Sequence, residues 1–234
     1  MGIKELILMQ LLAHILLDFF FQTKKSAQHK NEKGFKSRFL YFHVLLCFLL
    51  SWVFSLQINF FIAALIITVF HFLIDGFKPF FGRIKRLSPY IFYLDQLLHL
   101  LILVIVVLGF GYWKGIHPSI EVNLNYKFLM ILAAYLICLK PTNIFIREVF
   151  KSTDIQVSSD NEMPNAGKVI GILERILTLT LILVSQYSAV GFLIAAKSIL
   201  RYRSDETLKS EYVLIGTLLS FGMAVILGII ITAL

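Results

Sequence analysis

The sequence is short of charged residues. Aspartate, glutamate, lysine and arginine make up 15% of its 234 residues, whereas soluble domains carry about 25%. Hydrophobic residues make up 58%, and the mean hydropathy is +0.82. This composition excludes an ordinary soluble domain and is typical of a chain that crosses a bilayer several times.

Cysteine is scarce as well. The two cysteines, Cys47 and Cys138, both fall inside apolar segments, so we expect small core side chains and no disulfide framework. The sequence also lacks a P-loop, a G-x-G-x-x-G fingerprint, a G-x-S-x-G elbow and a C-x-x-C pair. These absences argue against P-loop or dinucleotide binding, against a serine-hydrolase elbow and against thiol redox chemistry.

Apolar segments dominate what is present. They cover residues 5–22, 39–56, 58–77, 90–113, 127–140, 167–185, 187–200 and 212–234. Their lengths predict an all-α fold: a polytopic membrane helical bundle of about eight transmembrane segments, or seven if 187–200 is re-entrant. The chain length predicts a single membrane domain over residues 1–234.

The basic residues separate these segments. Of the 22 lysines and arginines, 17 lie in four predicted loops, 23–38, 77–89, 140–168 and 201–209. All four loops fall on one side of an eight-span threading, which the positive-inside rule assigns to the cytoplasm. Both termini are then non-cytoplasmic. The net charge of +8 is therefore read as a topology signal, and no nucleic-acid partner is expected.

Two stretches interrupt the apolar pattern. The run PFFGRIKRLS, from Pro79 to Ser88, alternates aromatic and basic residues and predicts a helix lying on an anionic leaflet. The polar stretch 152–165 predicts a cytoplasmic loop.

Polar and ionisable side chains recur at four-residue spacing inside three of the apolar segments, and the histidine–aspartate pairs lie at the end nearest the basic loops. The set comprises Gln10, His14, Asp18 and Gln22 in the first segment, His71 and Asp75 in the third, and Asp95 and His99 in the fourth. Residues four apart share one face of a helix, so both members of a pair can reach one point in a bundle. Charged groups inside a membrane are costly, which makes each pair a functional hypothesis.

Imidazole nitrogens and carboxylate oxygens together favour a divalent metal, with zinc expected first and manganese or iron as alternatives. The three pairs predict ligands for one ion with its surrounding shell, or for two ions. His43 lies at the same depth without an acidic residue four positions away. It is either a seventh member of the site or a packing histidine. In the alternative interpretation, each histidine only hydrogen-bonds its neighbour and ties helices together.

A second group of charged residues lies in the carboxy-terminal third. Glu174 falls inside the sixth apolar segment, and Lys197 and Arg201 share a face at the end of the seventh. Glu174 and Asp18 are candidate proton-transfer groups, and the partner of Glu174 is open between Arg175, Lys197 and the metal. Lys197, Arg201 and Lys78 are candidates for holding an anionic headgroup. For Lys197 and Arg201, the alternative is that they snorkel to the interface.

These motifs resemble a bacterial membrane family, domain of unknown function 3307. The resemblance rests on HILLDFFFQ, HFLID with the lysine that follows it, DQLLH, LIAAKSILRY and SEYVLIGTLLS. It extends over essentially the whole chain and implies a multi-pass protein of the bacterial cytoplasmic (inner) membrane, but it implies no reaction. A looser likeness is to predicted membrane-bound metal-dependent hydrolases.

The leading hypothesis is therefore a metal-dependent hydrolase that acts on an anionic lipid or lipid-linked substrate, with membrane lipids as partners. A metal ion would lower the pKa of a bound water toward about 7. The alternative is a carrier for a metal ion, a proton or a small solute that uses the same residues as a relay. A non-catalytic scaffold would leave the three pairs unexplained. The sequence is compatible with a homo-oligomer.

Overall fold

We describe a computed structural model of the chain over residues 1–119, 125–153, 166–201 and 207–234. Within these ranges the chain forms nine α-helices and no strand, which confirms the predicted all-α fold. The helices are α1 Ile3–Ile15, α2 Lys24–Lys33, α3 Arg38–Ser55, α4 Phe61–Gly82, α5 Ile91–Lys114, α6 Tyr126–Ser152, α7 Ala166–Leu183, α8 Tyr187–Arg201 and α9 Thr207–Thr232.

Five helical stretches of the described chain are long and apolar enough to cross a membrane, which indicates a membrane protein. They are Arg38–Ser55, Ile58–Gly82, Ser88–Lys114, Tyr126–Ser152 and Glu211–Thr232. A bent pair, Ile3–Phe21 with Lys24–Lys36, makes a sixth if it counts as one span. The predicted count of about eight is not confirmed. The sequence of α7 includes Lys168, Glu174 and Arg175, and the apolar part of α8 is short, so their crossing stays a prediction.

The prediction that residues 23–38 form a loop is wrong. This segment folds as α2 and a 3-10 turn, Gly34–Lys36, and it is bent by 97° from the preceding helix. Thr23 and Ser26 cap the start of α2 reciprocally: the Ser26 amide donates to Thr23 Oγ1 at 3.2 Å, and the Thr23 amide donates to Ser26 Oγ at 3.0 Å. This pair satisfies amides that a helix start otherwise leaves unbonded.

Two predicted segment ends are also wrong, because α4 and α6 continue through prolines beyond the apolar segments. The predicted surface helix over residues 79–88 does not form, since α4 continues through Pro79 to Gly82. Likewise α6 continues beyond 140, through Pro141, to Ser152. A proline removes one helical amide, and in α6 Thr142 Oγ1 donates instead to the Ile137 carbonyl at 2.7 Å. Of the predicted loop 152–165, all but the first two residues lies outside the described residues.

The described chain divides into two compact units, Met1–Leu129 and Met130–Leu234. In the first unit, α1, α3, α4 and α5 surround a core that includes Leu6, Phe60 and Val107. In the second unit, α7 packs on α9 around Leu179 and Ala224. Both cysteines are free and buried, as predicted. The prediction of a single domain over 1–234 stays a prediction.

Candidate metal centre

The first unit brings together all seven side chains that the sequence predicted as metal ligands. Five helical elements supply them. The side chains are His14 from α1, Asp18 from the π-helical turn that follows α1, His43 from α3, His71 and Asp75 from α4, and Asp95 and His99 from α5. The four histidines, Asp75 and Asp95 are buried, and the Asp18 side chain is 9% exposed. We call these seven residues the candidate metal centre.

A π-helical turn positions Asp18. The α-helical part of the first segment ends at Ile15, a π-helix follows over Leu16–Phe21, and Gln22 is already extended. The predicted single α-helical face through Gln10, His14, Asp18 and Gln22 is therefore wrong. Single π-helical turns occur frequently at functional sites, because the wider turn changes the direction of a side chain. Here Asp18 lies beside His43 and His71, as well as beside His14.

The ligand atoms of four of these side chains converge. His43 Nε2 lies 3.0 Å from His71 Nε2, 3.1 Å from Asp18 Oδ1 and 3.5 Å from Asp75 Oδ2. His71 Nε2 lies 3.5 Å from each of the same two carboxylate oxygens. Asp18 Oδ1 is buried and has no hydrogen-bond partner of suitable geometry among the described residues.

These five distances are close to the ligand–ligand separations of a divalent metal site. Metal–nitrogen and metal–oxygen bonds of about 2.0–2.1 Å place neighbouring ligands of a tetrahedron about 3.3–3.4 Å apart. The observed separations, 3.0–3.5 Å, lie on both sides of that value. Two imidazoles and two carboxylates are also a donor set that suits zinc, manganese or iron. These four residues therefore fit a divalent ion.

A second ion is possible within the same cluster. The seven residues form three overlapping triads whose ligand atoms lie within 4.8 Å of one another: His14–Asp18–His71, His43–His71–Asp75 and Asp75–Asp95–His99. The rings of His71 and His99 have centroids 4.0 Å apart. Both ring nitrogens of His99 and Asp95 Oδ1 are buried without a hydrogen-bond partner among the described residues. Buried polar atoms usually have partners, so these atoms are further candidate ligands.

Two lysines and a glutamine complete the surroundings of the cluster. Lys30 Nζ donates to Asp75 Oδ2 at 2.5 Å, and Lys78 Nζ donates to Asp95 Oδ2 at 2.8 Å. Gln96 Nε2 donates to Asp18 Oδ2 and to Asp95 Oδ2, both at 3.2 Å, so the amide joins two of the carboxylates. With neutral histidines, the three aspartates and two lysines leave one net negative charge. A divalent ion would make the centre net positive.

Lys30 was missed by the sequence prediction, which counted it only as a topology signal. Its side chain is 6% exposed, although it lies on α2, among exposed lysines. The buried positions Lys30 and Gly34, with the half-buried Ala27, recur every three or four residues. This periodicity is typical of a buried helix face. In a strongly basic segment the face lacks the apolar stripe that would identify it from the sequence.

Close packing at Gly76 fixes α2 against α4. A Cβ atom on Gly76 would lie 2.1 Å from Phe35 Cε1, and one on Gly34 would lie 2.5 Å from the Gly76 carbonyl oxygen. Gly34 also has a φ of 51°, a conformation that favours glycine. Because Gly76 follows Asp75 directly, this contact positions Lys30 beside its carboxylate partner.

The carboxy-terminal candidates belong to the second unit. Lys197 Nζ donates to Glu174 Oε2, which identifies the partner that the sequence left open. Arg175 instead donates to the Cys138 carbonyl at 2.7 Å, to Ser220 at 2.8 Å and to Asn143 at 2.8 Å. Arg201 ends α8, and its side chain lies outside the described part of the chain. The roles predicted for Glu174, Lys197 and Arg201 stay predictions.

Comparison with known families bears on the first unit. The profile of the family described as "Protein of unknown function (DUF3307)" matches residues 6–140. The chain belongs to this family. The matched region contains every residue of the candidate metal centre, together with Lys30 and Lys78, and it ends before Glu174. Searches of curated proteins and of solved structures found no match.

Proposed function

We propose that this DUF3307 member is a membrane-embedded hydrolase that depends on a divalent metal, zinc first, and acts on an anionic lipid or lipid-linked substrate. The observation that carries the proposal is the convergence of His43, His71, Asp18 and Asp75, whose ligand atoms lie 3.0–3.5 Å apart in five pairs. A divalent ion held by three protein ligands, as in the triad His43–His71–Asp75, would keep a fourth position for water and would supply Lewis acidity and an activated water nucleophile.

The charges around the centre favour an anionic substrate. Lys30 and Lys78 flank the cluster, and each is held by one aspartate. An ammonium group has three donor hydrogens, so each lysine retains donors for a phosphate or carboxylate oxygen. This supports the substrate-binding role predicted for Lys78 and extends it to Lys30.

Hydrolysis also needs a group that accepts a proton from water. In the reaction, the water oxygen bonds to the phosphorus or carbonyl carbon, the ester bond breaks, and the departing oxygen takes a proton. Asp95 has one oxygen bound by Lys78 and Gln96 and the other, Oδ1, without a partner among the described residues. Asp95 and the predicted Asp18 are therefore the candidate proton carriers in the first unit. Glu174 remains a separate candidate in the second unit.

The location follows from the same proposal. We place the protein in the bacterial inner membrane as a multi-pass chain with both termini non-cytoplasmic, since most basic residues lie between the apolar segments. The candidate centre then opens toward the cytoplasmic leaflet, where lipid headgroups are its partners. A homo-oligomer is compatible with this arrangement.

The test is turnover in detergent. Purified protein would be incubated with a panel of phospholipids and polyprenyl phosphates, and products would be identified by mass spectrometry. We expect one lipid class to yield product, and we expect chelation or His71→Ala to abolish it, while His117→Ala, an exposed histidine outside the cluster, leaves it unchanged. Metal-loaded protein that converts no lipid of the panel would contradict the proposal.

A cavity favours the second candidate function, a carrier. It has about 390 Å³ of empty space, including the part open to the surroundings, and it is lined by His14, His71 and His99 and, further along α1 and α3, by Gln10 and Ser51. Buried polar groups that continue beyond a metal centre suit a path for an ion or a proton.

Ion flux into sealed proteoliposomes tests the carrier. Ser51→Leu would fill the cavity, so a carrier should lose most of its flux while its bound metal content stays unchanged. Val53→Leu, at an exposed position of the same helix, is the matched control. Equal flux in the two variants would exclude this path.

A further inference from the structure

A second cleft opens beside the candidate metal centre, between the π-helical turn, α2 and α3. It encloses about 260 Å³ of empty space, including the part open to the surroundings. Its lining is Phe21, Gln22, Ser26, Lys30, Phe39, Phe42, His43 and Leu46. We call it the headgroup cleft, for the reasons that follow.

The inner part of the headgroup cleft is polar and belongs to the metal centre. Lys30 and His43 are 5% and 6% exposed, and both contact Asp75. Gln22 Oε1 is also buried and has no hydrogen-bond partner among the described residues. The cleft therefore presents a cation, an imidazole and an unpartnered amide oxygen at one end.

The outer part is apolar. Phe21, Phe39 and Phe42 are 55%, 46% and 62% exposed, and Leu46 follows Phe42 by one turn of α3. Exposed phenylalanines beside a polar cleft end offer an apolar surface to the first part of acyl chains. A polar end joined to an aromatic mouth matches an amphiphile and not a free anion.

The charge of the surroundings selects an anionic amphiphile. No acidic residue is among the eight residues that line the cleft. Four further lysines of this region, Lys24, Lys25, Lys33 and Lys36, are exposed. Because α2 is bent by 97° from the helix before it, it lies along the leaflet surface when α1 runs along the membrane normal. Lysines there attract anionic lipids.

We infer that the headgroup cleft binds the phosphate of an anionic phospholipid, with Lys30 as the phosphate ligand and Phe21, Phe39 and Phe42 around the first part of its chains. The inference rests on the proposed function and names the substrate class of that site. Lys30 directs one donor to Asp75, and its two further hydrogens are available to phosphate oxygens. A phosphate bound there would lie next to His43, a ligand of the candidate centre.

Tryptophan fluorescence in proteoliposomes tests the inference. Trp52 and Trp113 would be replaced by phenylalanine, and a single tryptophan would be placed by Phe42→Trp at the cleft. Leu49→Trp is the matched control, because it is exposed on the same helix two turns away, about 10 Å along the axis. Quenching would be compared between dibrominated phosphatidic acid and dibrominated phosphatidylcholine at equal mole fractions.

We expect the full-length protein to prefer phosphatidic acid at position 42 by at least about fivefold, as a charge-assisted phosphate contact implies. At position 49 the ratio should be close to one. Lys30→Gln should bring the ratio at position 42 close to one, whereas Lys33→Gln, at an exposed lysine of the same helix, should keep it. A ratio near one at position 42, an equal preference at position 49, or no effect of Lys30→Gln would each overturn the inference.

Two further readouts separate the possible failures. If inorganic phosphate changes the tryptophan emission at position 42 in a Lys30-dependent way while phosphatidic acid is not preferred, the cleft binds a free anion and the lipid assignment fails. Metal content would be measured on the same samples. Lipid preference without bound metal would leave this inference standing and overturn the proposed hydrolase. Metal binding and lipid turnover without a preference for phosphatidic acid at position 42 would support the proposed hydrolase and overturn this inference.

Discussion

The Nε2 atoms of His43 and His71 lie 3.0 Å apart, and each also lies within 3.5 Å of the same two carboxylate oxygens. One proton between the two nitrogens would leave Asp18 Oδ1 facing the pair without a donor aimed at it. A single cation beside the four atoms would bind Asp18 Oδ1 and both imidazole nitrogens at once. This contact is the physical basis of the first prediction.

We predict that a divalent transition metal copurifies with the protein at about one or two ions per chain, and that His43→Ala or His71→Ala removes most of it. Losing one protein ligand typically costs at least about tenfold in metal affinity. Elemental analysis of detergent-purified protein measures the content. His117→Ala should bind metal like the parent, since His117 lies outside the cluster.

A folded, chelator-free preparation without metal would contradict this prediction. The interpretation that the histidines only tie helices together would then hold, and His71→Ala would lower thermal stability without any change in bound ions.

The second prediction concerns the number of ions. His71 belongs to two of the three triads, whereas His99 belongs to one. If two ions bind, His99→Ala should reduce the metal content from about two ions to about one per chain. His71→Ala should weaken the binding of both ions. Equal losses in the two variants would indicate a single ion, with His99 outside its ligands.

The third prediction concerns the packing that positions Lys30. Gly76→Ala would force a Cβ atom into Phe35, so it should lower the free energy of unfolding by about 1–3 kcal/mol, as overpacking does. It should also displace α2 and weaken the Lys30–Asp75 contact. Gly109→Ala is the control, because a Cβ atom there meets nothing within 4 Å, and alanine in a helix is stabilising by about 0.5–1 kcal/mol. Reversible unfolding in mixed micelles measures the free energy of unfolding of both variants. Equal stabilities of Gly76→Ala and Gly109→Ala would exclude the tight contact at Gly76.

The sequence predicted the site where the helices are regular. In α4 and α5, the pairs His71–Asp75 and Asp95–His99 lie on continuous α-helix, so four-residue spacing translated directly into a shared face. The prediction failed where local geometry departs from that period. The π-helical turn at Asp18 leaves no mark in a hydrophobic pattern, because apolar residues surround it on all sides.

Lys30 was unpredictable for a different reason. Basic residues near a membrane usually remain solvated, and only the packing of Gly34 and Phe35 against Gly76 turns this one inward. That packing joins residues more than forty positions apart, and a single sequence does not reveal such a contact. The ends of α4 and α6 were missed because both helices continue past their apolar segments, through Pro79 and Pro141.

The fourth prediction concerns topology. Lys33 and Lys114 are exposed residues on either side of the α3–α4–α5 region, and an odd number of spans separates them in the predicted threading. Lys33→Cys and Lys114→Cys should therefore react with an impermeant maleimide from opposite sides of the membrane, the first from the cytoplasm. The native cysteines are buried, so their background should be low. Labelling of both positions from the same side would refute the threading.

The last prediction separates a structural from a chemical role for Glu174. Its carboxylate accepts a hydrogen bond from Lys197, and their side chains are 13% and 16% exposed. Lys197→Met leaves that carboxylate partly buried without its partner, so it should lower stability, and adding Glu174→Gln should recover part of the loss. We expect a coupling energy of about 0.5–3 kcal/mol between the two sites. A group that transfers protons behaves differently: Glu174→Gln alone would slow turnover by about 10²–10⁴-fold at unchanged stability and metal content. Turnover that survives in the double variant would assign the pair to folding alone.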